Sequence, residues 1–234
     1  MDLKGKSVVV TGASGGMGLV LCDRLAKMGA KLSICSNDKE GLEKQVEKLK
    51  ADYGIDVFAK VVDLTDECEV KSFFDEAAEK NGKFYAMANL VGLSIPAKIP
   101  DMSVEDYDKV MDVNVKGTFL VGKHFAHNAD KPAIIVNIGS VASKNANPNA
   151  PLYCTAKAAV NMLSRGLLLQ VGSQDIRVTT INPGGADTPF WGTRQVDKSK
   201  LMSAEDVVEV IMFALTSSPN IQIHDIYFES SARF

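Results

Sequence analysis

Short runs rich in β-branched residues alternate along this chain with stretches of helical periodicity, and that alternation constrains the fold more than any other feature. Parallel strands can be joined only by a crossover long enough to hold a helix, so the alternation spells βαβ units and a parallel sheet. Strands are expected at Ser7–Thr11, Lys31–Ser36, Val57–Asp63, Tyr85–Val91, Ala133–Ile138, Arg177–Ile181 and Ile221–Phe228. Helices are expected after the first strand's turn to about Met28, over Lys39–Asp52, and from a Thr65 cap to about Lys80. A long helix follows from a Ser103 cap through Asn114 to about His127, with Asp106 three residues past the cap. Another carries Tyr153 and Lys157 to about Val171, and the last spans Ala204–Thr216. No repeat, low-complexity tract or linker interrupts the series, so residues 1–234 are expected to form one domain around a seven-stranded, mostly parallel sheet with helices on both faces.

Composition excludes several classes. Hydrophobic content of 46% and charged content of 24% are those of a globular α/β protein and not of a disordered or fibrous one. A net charge of −3 offers no basic footprint for nucleic acid. No apolar run reaches the length of a membrane span, and the start, Met-Asp-Leu-Lys-Gly-Lys, carries no signal-peptide core, so a cytoplasmic location is expected. The four cysteines, Cys22, Cys35, Cys68 and Cys154, are scattered and suggest neither a disulfide framework nor a metal site. Cys154 follows Tyr153 but a helix turns it about 100° away, as a packing residue.

Two stretches carry chemistry. The first strand ends in Thr11-Gly12-Ala13-Ser14-Gly15-Gly16-Met17-Gly18, which opens directly into a helix. Glycines there let backbone approach a pyrophosphate at the positive end of the helix. The second stretch runs from Asn137 to Lys157. An apolar strand ends in the small hydroxyl Ser140, and Tyr153 and Lys157 stand four apart at the head of a helix. That spacing places both side chains on one face. A phenol beside a cation is a proton donor whose pKa is expected to fall below its ordinary value of about 10, and Ser140 can hydrogen-bond the oxygen that Tyr153 protonates.

Together these stretches resemble the short-chain dehydrogenase/reductase family, and the resemblance covers essentially the whole chain. It implies a doubly wound α/β fold of the Rossmann type. It also implies a cofactor held by Gly12, Ser14, Gly16, Met17 and Gly18. Asp63 and Leu64 match the segment that meets the adenine, and Asn89-Leu90-Val91-Gly92 the turn that is usually Asn-Asn-Ala-Gly, with Leu90 in place of a polar residue. Asn114, in Val-Asn-Val-Lys-Gly, matches the Asn that kinks the long helix and holds a water of the proton relay. Pro183, Gly184, Ala186 and Thr188 match the segment that holds the nicotinamide amide. The catalytic group so implied is Asn114, Ser140, Tyr153 and Lys157. Tyr153 is the general acid/base, Ser140 stabilises charge on the reacting oxygen, and Lys157 tunes Tyr153 and binds the nicotinamide ribose. The substrate is a small-molecule alcohol or carbonyl, no metal is implied, and a homodimer or homotetramer through the long helix and the Tyr153 helix is expected. The chain's end, Ile226-Tyr-Phe-Glu-Ser-Ser-Ala-Arg-Phe, departs from the family's Gly-Gly pair near a subunit interface.

Cofactor choice turns on Cys35-Ser36-Asn37-Asp38-Lys39. NAD enzymes usually place a carboxylate at the position of Ser36 to take the ribose hydroxyls. Ser36 and Asn37 can instead donate to a 2′-phosphate, with Lys39 in reach, so NADP is favoured over NAD. Against this, Gly15 and Asn37 stand where a basic residue is common, and Asp38 can be a helix cap or a ribose ligand. The substrate pocket is expected after Gly92, after Ser140 and from Gly185 to about Arg194. Phe190 and Trp191 either cover a substrate or pack the lid, while Lys144, Arg194, His124 and His127 read as surface or structural residues. Two other classes fit less well. A silent nucleotide-binding regulator need not keep Ser140, Tyr153, Lys157 and Asn114, and an extended-type epimerase needs a larger C-terminal region.

Overall fold

The computed structural model describes residues 2–233. In order they form β1 (Ser7–Thr11), α1 (Gly16–Lys27), β2 (Lys31–Ser36), α2 (Lys39–Tyr53), β3 (Phe58–Val61), α3 (Glu67–Asn81) and β4 (Phe84–Asn89). Then follow α4 (Val104–Met111), α5 (Gly117–His127), β5 (Ala129–Ile138), α6 (Pro151–Val171), β6 (Ile176–Pro183), α7 (Ala204–Thr216) and β7 (Asp225–Phe228). The seven strands make one sheet in the order β3-β2-β1-β4-β5-β6-β7, every pair parallel. The sheet is thus wholly parallel where a mostly parallel one was expected.

Period-two alternation divides the core. Val8 and Val10 of β1 face one layer with Leu21 and Leu25 of α1, Leu42 and Leu49 of α2, and Val207 and Ile211 of α7. Val9, between them, faces the other with Phe73 and Phe74 of α3 and Leu120 and Phe125 of α5. Phe74 meets Phe73 edge-on at 5.3 Å and Phe84 at 5.7 Å, so that layer rests on packed rings. Strand order reverses between β1 and β4. In open parallel sheets the crevice beyond the strand ends at such a reversal is where ligands sit.

The differences from the expected boundaries have local causes. Asp66, not Thr65, caps α3, because its carboxylate accepts from the N–H groups of Cys68 and Glu69 while the Thr65 hydroxyl is held by Asp63. β3 and β4 stop at Val61 and Asn89, short of Asp63 and Val91, as the chain turns into the crevice. The last strand begins at Asp225 instead of Ile221. The Ile221 and Ile223 carbonyls accept from the side chains of Arg177 and Thr179, which takes them out of a ladder. β5 starts earlier, at Ala129. The long helix is continuous but holds one π-helical turn, Asp112–Lys116, around Asn114. Ser103 does cap α4, accepting from the Asp106 N–H.

Candidate active site

The glycine-rich turn comes first. Gly12 adopts φ +66°, a left-handed conformation that favours glycine. A Cβ on Gly18 would overlap the Gly12 carbonyl oxygen and come within 2.7 Å of Ala13 Cα, so the turn closes against the helix only with glycine there. A Cβ on Gly16 would press to 3.0 Å from Thr188 Cγ2. Gly15 caps α1 without a side-chain hydrogen bond, and the first turn of α1 carries no acidic residue. The uncapped N–H groups and the positive helix end suit an anionic group. A dinucleotide's pyrophosphate therefore fits this cradle. Ser14 reaches across to Ser36, hydroxyl to hydroxyl at 2.6 Å.

Beside the turn lies a cleft lined by Gly12, Ser36, Asn37, Asp63, Leu64 and Thr65 among others. Five of these are residues expected to meet the cofactor. Thr65 was missed, as were Val91 and Val113 on the opposite wall. Val91 lies inside the Asn89-Leu90-Val91-Gly92 turn and Val113 precedes Asn114, so position in or beside a motif is the available signal. Asp63 holds the N–H and hydroxyl of Thr65. Asp38 caps α2, accepting from the Gly41 N–H at 3.1 Å. Asn89 is buried behind the turn. It accepts from the Thr11 hydroxyl at 2.7 Å and donates to Thr118 and Asn137.

At the other end of the crevice Ser140, Tyr153 and Lys157 converge. Ser140 stands just past β5, and its hydroxyl is near enough to the Tyr153 phenol to favour the ionised form. Lys157, 1% exposed, donates to the Ile138 carbonyl at 2.9 Å. Its ammonium lies 5.8 Å from the centre of the Tyr153 ring. Gly92 leaves room for it, since a Cβ there would sit 3.0 Å from Lys157 Nζ and 3.5 Å from Asn114 Oδ1. The Asn114 amide donates to the carbonyls of Leu93 and Val110, both at 2.8 Å, and holds the π-turn against that loop.

The electrostatics correct one expectation. Lys157 does not pull the Tyr153 pKa down. Burial pushes Tyr153 up to about 12, while the Ser140 hydroxyl pulls the other way. Burial likewise drives Lys157 down to about 8. The reason is geometric: the ammonium is drawn to a main-chain carbonyl behind the ring, and desolvation acts on both groups. Tyr153 is therefore a protonated phenol at neutral pH, able to give a proton away.

The segment expected to hold the nicotinamide follows β6. The Gly184 N–H donates to the Phe228 carbonyl, and Pro183 O lies 3.5 Å from Ser140 Oγ, at the limit of a hydrogen bond. Ala186 bridges to Met202 and accepts from the Trp191 indole at 2.7 Å. Phe190 lies on Tyr153 with ring centres 5.6 Å apart. Arg194 donates to the carbonyls of Phe190 and Trp191 and packs on both rings. Met17 packs into the α1 layer. Lys144 lies over the Tyr227 ring, and His124 is buried on Phe74.

A family model described as short chain dehydrogenase matches residues 6–199. The chain belongs to that family. Among relatives of this short-chain dehydrogenase is an uncharacterized oxidoreductase of Staphylococcus saprophyticus, 29% identical, the match covering 97% of each chain. Uncharacterized oxidoreductases of Staphylococcus aureus are 28% identical, with 96% of each chain covered. Two solved structures share its fold. A short chain dehydrogenase from Burkholderia cenocepacia in complex with NADP superposes with a TM-score of 0.92 at 24% identity over 100% of each chain. An alcohol dehydrogenase from the archaeon Thermococcus sibiricus, complexed with 5-hydroxy-NADP, gives 0.89 at 23% over 97% of each. Among the described residues no helix is long and apolar enough to cross a membrane, and no cluster of His, Cys, Asp or Glu could hold a metal.

Proposed function

We propose that this short-chain dehydrogenase is an NADP-dependent oxidoreductase that interconverts an alcohol and a carbonyl on a small molecule, as one cytoplasmic catalytic domain spanning the chain. One observation carries the reading: Ser140, Tyr153 and Lys157 meet at the mouth of the crevice, where the Ser140 hydroxyl acts on the Tyr153 phenol and the buried Lys157 ammonium, held by the Ile138 carbonyl, lies 5.8 Å from the centre of the Tyr153 ring. When bound, the nicotinamide supplies or accepts the hydride. Tyr153 gives its proton to the substrate oxygen in the reducing direction and takes it back in the oxidising one. Ser140 donates a hydrogen bond to the same oxygen and so stabilises charge where it develops. Lys157, with its pKa near 8, can hand a proton to the phenolate left behind. The Asn114 carbonyl accepts from Thr118 at 2.7 Å and has a second lone pair for a water leading to Lys157.

The turn residues Gly12, Ser14, Gly16, Met17 and Gly18 would cradle the pyrophosphate, and Asp63 and Leu64 would flank the adenine. The segments at Asn89 and Gly92, and Pro183, Gly184, Ala186 and Thr188, would hold the ribose and nicotinamide. The lean to NADP is supported by the hydroxyl pair of Ser14 and Ser36, and by Asp38 turning its carboxylate into the α2 cap. The NAD alternative has one observation in its favour: Lys39 points along α2, 3.9 Å from Glu43, and not into the cleft. Phe119 on α5 and Met162 and Leu169 on α6 are exposed apolar side chains that support a homodimer or homotetramer through these helices.

Titration of the purified protein with NADPH and NADH, followed by a carbonyl panel, tests the reading. NADPH binding at least about tenfold tighter, a gap of about 1.4 kcal/mol, is expected. Tighter NADH overturns the cofactor assignment, and binding of neither overturns the enzyme.

A further inference from the structure

Ser140 is gripped from behind by residues that the reaction itself does not use. Its N–H donates to Asn182 Oδ1 at 3.0 Å, and its carbonyl accepts from the Ser143 hydroxyl at 2.7 Å. Gly139 permits the first contact, because a Cβ there would overlap Asn182 Oδ1. The second contact has a longer lineage. Asn161 of α6, only 8% exposed, donates through its Nδ2 to Ser143 Oγ and to the Tyr227 hydroxyl, both at 2.8 Å. Tyr227 Oη also lies 3.4 Å from Ser143 Oγ, and Lys144 sits over its ring at 3.5 Å.

Proton counting gives this cluster a direction. A serine hydroxyl has one proton and two acceptor sites. Ser143 gives its proton to the Ser140 carbonyl, so in the contact with Tyr227 the phenol must be the donor. Asn161 and Tyr227 then fill both acceptor sites of Ser143. The Ser143 proton is left with one orientation, toward Ser140. Tyr227 comes from β7, the last strand, beside Asn182 in the β6 register, so the far edge of the sheet reaches the site through this chain of bonds.

We propose that Tyr227 and Asn161 are positioning residues, which fix the Ser140 main chain through Ser143 and thereby aim the Ser140 hydroxyl at the substrate oxygen. The inference rests on the role given to Ser140 above. It makes the C-terminal strand, where this chain departs from its family's usual ending, part of the active-site framework.

The test uses the full chain with NADPH and the fastest carbonyl of a panel of aromatic aldehydes, cyclic ketones and α-diketones. Tyr227→Phe and Ser143→Ala are each expected to lower kcat about 5- to 30-fold, a change of roughly 1–2 kcal/mol. The NADPH Kd is expected to stay within about twofold. The double variant is expected to be no worse than Ser143→Ala, since both act on one path, and Ser143→Thr is expected to recover most of the rate. In the protein without substrate, the 13C shift of the Ser140 carbonyl is expected to move the same way in both variants. Ser140→Ala separates the two claims. If it abolishes turnover while Tyr227→Phe leaves kcat unchanged, the positioning role is wrong. If it leaves turnover intact, the role given to Ser140 is wrong, and an unmoved carbonyl shift in Tyr227→Phe then overturns the network independently.

Discussion

Lys157 on α6 donates its ammonium to the main-chain carbonyl of Ile138, the residue two positions ahead of Ser140, at 2.9 Å. This clasp ties the helix carrying Tyr153 to the strand end carrying Ser140. Burial, and not this bond, sets the protonation of the site. The bond holds the charge behind the Tyr153 ring, where desolvation lowers the Lys157 pKa to about 8.

Lys157 is therefore expected to reduce stability where it supports chemistry. Its pKa is lower in the folded chain, about 8, than the ordinary 10.5, so burying the cation costs about 3 kcal/mol. The cost is full below pH 8, is relieved between pH 8 and 10.5, and vanishes above. Lys157→Met is expected to abolish turnover yet raise unfolding free energy near neutral pH by about 1–2 kcal/mol, after loss of the bond to Ile138. Urea unfolding across this range is expected to show the gap closing as pH rises. A gap that does not change with pH contradicts the assignment.

Ser36 is expected to decide the cofactor. A carboxylate at that position would repel a 2′-phosphate and offer acceptors to ribose hydroxyls instead. Ser36→Asp is expected to weaken NADPH roughly 50-fold, about 2.3 kcal/mol, and to leave NADH unchanged or tighter. Fluorescence titration of both cofactors reads this directly.

Gly18 has no room for a methyl group, since both Gly12 and Ala13 backbone lie inside contact distance of any Cβ. Gly18→Ala is expected to displace the turn at a cost of about 1–3 kcal/mol and to weaken both cofactors at least tenfold. Equal weakening of NADPH and NADH distinguishes a pyrophosphate cradle from a 2′-phosphate contact.

Arg194 braces the lid through two main-chain carbonyls and two aromatic faces. Arg194→Met keeps much of the apolar bulk and deletes the bonds, which are worth about 1–2 kcal/mol together. The expected outcome is a substrate KM raised about five- to tenfold with kcat changed less than about twofold, because Phe190 loses its seat against Tyr153.

Much of this architecture was legible in the residues because it is written locally. β1 and α7 fall on the expected residues, and the Ser103 cap is present, since each rests on contiguous periodicity or a cap and its partner. The four-residue helical spacing places Tyr153 and Lys157 on one face, whereas the place of Ser140 beside them was expected from the family resemblance. What could not be foreseen depends on three-dimensional register. The pairing of Asn182 with Tyr227 brings Tyr227 to Ser143, and nothing near position 227 announces it. The direction of the Tyr153 pKa shift is hidden from the sequence for a related reason. Proximity along a helix says that a cation is near, but not which carbonyl it has chosen or how much water the fold has removed. The C-terminal departure is only partly visible, since Phe234 lies outside the described residues.

The central claim is that Tyr153 is the acid/base of a nicotinamide-dependent reaction, and Tyr153→Phe tests it most directly. This substitution keeps the ring against Phe190 and removes only the hydroxyl. Turnover of NADPH with the best carbonyl of the panel is expected to fall at least about a thousandfold, roughly 4 kcal/mol of transition-state stabilisation, with NADPH affinity nearly unchanged. A variant that binds NADPH normally and still turns over at a rate near wild type contradicts the account.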